Sequence, residues 1–168
     1  MDANNYIPSK TGVFMHKRKA AITLCASDRF LNILPTIEGA LVRRGFKVFP
    51  SSLMARHHSN EATPMEMYFD FLMDQFRNIE RSDAIYVANF DKDKIGRCIG
   101  GSNFLAMGNA FFRNVPIFLM FPPPVIGYRR EILAMRPIVI GMDWDELERR
   151  LMDRTRTEYN WRSRYRLF

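Results

Sequence analysis

The sequence predicts an α/β fold: a single-domain three-layer sandwich in which a parallel sheet of about five strands lies between helices, flavodoxin-like or Rossmann-like in type. Three observations carry that prediction. Short apolar runs rich in strand formers alternate with segments of helical spacing along most of the chain. No hairpin turn joins consecutive runs, so each strand returns by a crossover and pairs in parallel. The 168 residues are 47% hydrophobic, enough for one sizeable core.

AAITLCA (20–26) reads as the first buried strand. Phe30, Ile33, Leu34, Ile37 and Leu41 follow at helical spacing, with Pro35 setting the start of the regular helix and Gly45 its end. KVFPS (47–51) is a short second strand. SLMARHHSNEA (52–62) has no period and reads as a loop, and its His57 and His58 lack a third ligand at metal-binding spacing. Thr63, Pro64 and Glu66 then supply an N-cap, a first-turn proline and a capping-box acid. The helix they open runs to about Arg81, with Tyr68, Phe69, Leu72, Phe76 and Ile79 on its apolar side. AIYVANF (84–90) is the third strand, 91–101 a polar loop containing glycine, and 103–113 the next helix. VPIFLMF (115–121) is the fourth strand, closed by three prolines. A helical piece near 127–135 precedes PIVIG (137–141), the fifth strand. Asp143 and Glu146 form another capping box at the start of a C-terminal helix.

This organisation divides the chain into a leader (1–18), the α/β domain (19–150) and an extension (151–168) rich in arginine and aromatic residues. The net charge of +7 suits an anionic partner. From Glu148 onward stand Arg149, Arg150, Arg154, Arg156, Arg162, Arg164 and Arg166, interleaved with Tyr159, Trp161 and Tyr165. Such a tail suits either packing on a partner subunit, the favoured reading, or stacking on nucleic-acid bases. Cys25 and Cys98 are too few for a disulfide framework or a zinc site. No apolar run approaches the ~20 residues of a membrane span, and the N-terminal residues lack the layout of a secretion signal, so a cytoplasmic location without membrane contact is expected.

In an open parallel sheet, ligands bind beyond the carboxyl ends of the strands. The loops that follow the first, third and fourth strands (25–29, 89–102 and 121–130) therefore frame the expected site. Ser27, Asp28 and Arg29 place a hydroxyl, a turn-forming acid and a guanidinium in the first of them, suited to a phosphate. Gly100, Gly101 and Ser102 precede a helix, as a backbone anion site or as a tight turn with an N-cap. Asn89, Asp91 and Asp93 follow the third strand and either face a ligand or belong to a solvated loop. There is no Gly-x-Gly-x-x-Gly after the first strand and no Walker-type lysine motif, so neither a dinucleotide cofactor nor a P-loop is expected.

ITLCASDRF, SDAIYVANF and IGGSNFLAMGNAFFRNVPIFLM, in that order over roughly residues 20 to 121, resemble the nucleoside 2-deoxyribosyltransferase-like superfamily, which includes hydrolases of deoxynucleoside monophosphates. The resemblance implies phosphate contacts at Ser27 and Arg29, with Ala26 where the family often has glycine, and Asn89 at the ligand-facing end of its strand. It implies a nucleotide- or nucleoside-like ligand, no cofactor, and a homodimer or larger homo-oligomer with pockets at subunit interfaces. It also places the family's nucleophilic glutamate at Ala106, whose methyl group cannot form a glycosyl–enzyme intermediate. Three readings follow: a pocket that binds without cleaving, a relocated carboxylate with Asp91 and Asp93 nearest in sequence, or a glutamate that has been replaced.

Overall fold

The structure is a computed structural model describing residues 6–8, 14–16, 20–27, 30, 32–51, 64–91 and 96–154. Two short strands, β1 (Tyr6–Pro8) and β2 (Phe14–His16), form an antiparallel pair of their own within the stretch read as a leader. The main sheet comprises β3 (Ala21–Ala26), β4 (Lys47–Phe49), β5 (Ala84–Ala88), β6 (Ile117–Leu119) and β7 (Ile138–Val139). The helices are α1 (Leu34–Arg43), α2 (Pro64–Glu80), α3 (Gly101–Phe112), α4 (Arg129–Ala134) and α5 (Trp144–Arg154).

All four pairings in the order β4-β3-β5-β6-β7 are parallel, which is the doubly wound fold the alternation predicts. From β3 the chain steps outward to β4, then turns back across β3 to β5 and continues to β6 and β7. Because such crossovers are right-handed, reversing the direction moves the helices to the opposite face. The core divides accordingly. Ile22, Leu24 and Ala26 of β3 and Ala84, Tyr86 and Ala88 of β5 pack in one cluster with Leu34, Ile37 and Leu41 of α1 and Leu147 and Leu151 of α5. Cys25, Ile85 and Val87 point the other way, into a second cluster with Ile79 of α2, Ala106, Met107 and Ala110 of α3 and Ile132 of α4. The period-two alternation of β3 and β5 thus supplies both layers from the same two strands.

Local signals place the helix ends. Gly45 (φ 86) ends α1 in the left-handed region, as expected. Asp143 caps α5 by accepting a hydrogen bond from the Glu146 amide at 3.0 Å. Leu151 is buried, so the expected boundary between domain and extension falls inside α5. Tyr86 crosses the core to donate its hydroxyl to the Gly141 carbonyl at 2.7 Å, with its ring 5.2 Å from that of Trp144. At the amino edge, Asp83 accepts from the Ala21 amide at 2.8 Å and so ties the start of β3 to that of β5. Among the described residues, no helix is long and apolar enough to cross a membrane.

Candidate functional site

The direction of winding reverses between β3 and β5, and their carboxyl ends open the crevice where this fold binds ligands. Ser27 follows β3 at that edge and is half-buried. Its carbonyl accepts from the Phe30 amide at 3.0 Å, so the loop turns back at once. Asp28 and Arg29 lie outside the described residues, as do Asp93, His57, His58 and the arginine-rich tail from residue 155.

Asn89, expected at the ligand-facing end of β5, is fully buried and its amide is committed to the loops. Its Nδ2 donates to the carbonyls of Phe121 (3.0 Å) and Arg97 (3.3 Å), and its Oδ1 accepts from the Phe121 amide (2.9 Å). One side chain therefore joins the end of β5 to the end of β6 and to the loop before α3. Asp91 has a local role too: its Oδ1 accepts from the Arg97 amide at 2.7 Å, supporting a turn in which Arg97 takes φ 59.

Helix α3 enters the crevice from this loop. Its N-cap is Gly100, with no side-chain capping bond and no acid in the first turn. Ser102, read as part of an anion site or as the cap, lies within the first turn. Neither Gly100 nor Gly101 has positive φ, so the pair is not there for a tight turn. A Cβ at either position would meet no described atom within 4 Å, so among the described residues nothing crowds the glycines at the first-turn amides. Behind them Asn103 is buried, and its Oδ1 has no hydrogen-bond partner among the described residues. Gln75 Oε1 and Ser51 Oγ are buried in the same condition. Gln75 lies over β3, its Nε2 3.5 Å from Cys25 Sγ.

Two features of the crevice escape sequence reading. Phe30, Phe90 and Phe121, one from each loop, form a row of rings with centroids 5.0 and 6.1 Å apart. Tyr128 donates its hydroxyl to the Ile99 carbonyl and packs its ring 4.7 Å from Phe104, holding the loop after β6 against the entrance of α3.

The described part of the site is poor in reactive groups. Ala106 is 0% exposed and lies in the apolar cluster with Cys25, Ile85 and Val87. Burial pushes the Cys25 thiol from 9.0 up to about 12, with the Gln75 hydrogen bond pulling weakly the other way, so it holds no thiolate at neutral pH. Burial also raises Tyr86 and, with a contribution from Cys98, Tyr128. Among the described residues, no group of three His, Cys, Asp or Glu side chains is placed to hold a metal ion. What the described crevice offers is backbone amides, amide side chains, a hydroxyl and aromatic rings.

No family model and no curated protein matches this chain. Solved structures do. A 2-deoxyribosyltransferase from the psychrotolerant bacterium Bacillus psychrosaccharolyticus is 16% identical, with a TM-score of 0.47 over 60% of this chain and 71% of its own. A conserved protein from Enterococcus faecalis V583 is 13% identical, with a TM-score of 0.57 over 82% of this chain and 99% of its own. The second likeness shows a common fold over most of the chain.

Proposed function

We propose that this chain binds a nucleotide, nucleoside or related (deoxy)ribosyl ligand in the crevice between β3 and β5 without cleaving its glycosidic bond. The observation that carries the reading is the entrance of α3: uncapped amides behind two bare glycines, followed one turn later by a buried Ala106. The amides suit a phosphate or another oxyanion. Asn103 Oδ1 suits a donor, such as a sugar hydroxyl or a base N–H. The phenylalanine row supplies a face for a planar base. Ser27 and Arg29 are assigned to the phosphate by the resemblance of CASDR to the family's first loop.

The carboxylate needed for covalent glycosyl transfer has no counterpart at Ala106. Asp91 supports a turn, which argues against its serving as a relocated nucleophile. The ligand class and the missing reaction are tested together by incubating the protein with deoxynucleosides and their 5′-monophosphates. Saturation-transfer NMR reports binding and chromatography reports free base. Binding without base release is expected; base release lost in Asp91→Asn would establish the relocated-carboxylate reading instead. Self-association belongs to the same proposal, supported by the apolar surface that Met65 and Phe69 of α2 and Leu105 of α3 expose on one side of the sheet. Light scattering on the eluting protein should then give a dimer or larger species, and a monomer would remove this part.

A further inference from the structure

Three exposed arginines stand on the rim around the entrance of α3. Arg97 belongs to the loop that leads to the N-cap Gly100, and Arg129 and Arg130 open α4 directly after Tyr128. The Tyr128 hydroxyl donates to the Ile99 carbonyl and its ring lies 4.7 Å from that of Phe104, so the start of α4 is held against the first turn of α3. Side chains of a helix lean toward its N-terminus, which for α4 is the carboxyl edge of the sheet. Among the described residues, none of the three guanidinium groups has a hydrogen bond or an ion pair. Arg113 and Arg150, by contrast, reach the carboxylates of Glu80 and Glu146.

Stability does not account for cations at these positions. Arg97 takes φ 59, a conformation that glycine adopts at lower cost. Both of its backbone groups are held: the amide donates to Asp91 Oδ1 at 2.7 Å and the carbonyl accepts from Asn89 Nδ2 at 3.3 Å. A glycine would keep both bonds without the strain, so what arginine adds there is its side chain. Arg129 and Arg130 occupy the first turn of α4, where the helix dipole disfavours a cation. Glu131 shares that turn but stands about 200° around the helix from Arg129 and about 100° from Arg130. Asp91, on the same rim, turns its Oδ1 to the Arg97 amide.

We propose that Arg97, Arg129 and Arg130 clamp a second phosphate, so that the crevice takes a nucleoside 5′-diphosphate in preference to a monophosphate. The clamp presupposes the nucleotide crevice proposed above: the uncapped amides of α3 hold the first phosphate, and the guanidinium groups beside them hold the next. Each guanidinium presents a fork of N–H donors that matches two oxygens of one phosphate. Asn103, buried in the first turn of α3 with its Oδ1 unpartnered among the described residues, accepts from the nucleoside at the inner end of the same entrance. Cations gathered at one helix entrance suit a compact group of high charge. A nucleic-acid strand calls for cations along a track.

The test is isothermal titration of the full chain, in a chelating buffer without divalent cations, with dAMP, dGMP, dCMP and dTMP and with their 5′-diphosphates. Whichever base binds, its diphosphate should bind at least about tenfold more tightly than its monophosphate. Arg129→Gln combined with Arg130→Gln should reduce that preference to about twofold or less without lowering the thermal midpoint, since both cations oppose the α4 dipole. Arg97→Gly keeps the left-handed backbone, so it should retain the fold while narrowing the preference about threefold. Equal affinity for mono- and diphosphates would overturn the clamp and leave the crevice standing, whereas no saturable binding of either would overturn both. A preference that survives all three substitutions would also overturn the clamp. So would inorganic pyrophosphate binding as tightly as the diphosphates, which would mark an anion site without a nucleoside. Tighter binding of an oligothymidylate of ~20 nucleotides, lost in the same variants, would reassign the arginines to a nucleic-acid strand and overturn it too.

Discussion

At the carboxyl edge, the buried Asn89 amide makes three partly buried hydrogen bonds that hold two loops, whereas at the amino edge Arg113 reaches the exposed carboxylate of Glu80. The first arrangement fixes the shape of a crevice and the second leaves charge facing water. Buried polar groups must be partnered, while exposed ion pairs contribute little. The difference teaches that the carboxyl edge is held in shape, while the ion pair of the amino edge holds little. Substitutions at the two edges should therefore differ in kind as well as in size.

The largest effect is expected where the crevice meets the core. Ala106→Glu puts a carboxylate among Cys25, Ile85 and Val87 and should cost on the order of 3–5 kcal/mol in urea denaturation. A stable variant that releases free base would show that the position opens onto the crevice. Asn89→Ala strands the Phe121 amide and two carbonyls, and a loss of about 2–4 kcal/mol together with ligand binding is expected. An unchanged midpoint would remove Asn89 as the pin between loops.

The core between the edges carries a pH signature. The folded-state Cys25 pKa is raised from 9.0 to about 12, so the unfolded chain ionises first as pH rises. The contribution is intact below pH 9 and is lost between there and about 12, by up to about 1.4 kcal/mol per pH unit. Cys25→Ala should flatten the alkaline limb of stability against pH. Arg113→Ala gives the smallest effect: removing an exposed ion pair should cost roughly 0.2–1 kcal/mol, and a much larger loss would mean that the amino edge is structural after all.

Much of the fold is legible in the sequence because it depends on local pattern. Alternating apolar runs and helical periods locate the parallel strands, Gly45 and Asp143 mark helix ends, and the switch-point rule points to the edge where the loops gather. The site's internal wiring is less legible because its partners are distant in sequence. Asn89 reads as ligand-facing, since nothing local announces Phe121, 32 positions away. The rings of Phe30, Phe90 and Phe121 come from three separate loops. Gly100 and Gly101 read as an anion site or a tight turn, and only the structure shows that neither takes positive φ and that a Cβ at either meets no described atom within 4 Å.

That room permits the most direct test. Gly101→Val places its Cβ where no described atom lies within 4 Å, so the fold should be retained while the approach to the α3 amides is blocked. Isothermal titration with deoxynucleoside 5′-monophosphates should give saturable binding to the unmodified chain and at least about tenfold weaker binding to Gly101→Val, with intact nucleotide recovered from both. Equal binding by the two proteins, or free base in the calorimeter cell after titration of the unmodified chain, would contradict a binding crevice at this helix entrance that leaves the glycosidic bond intact.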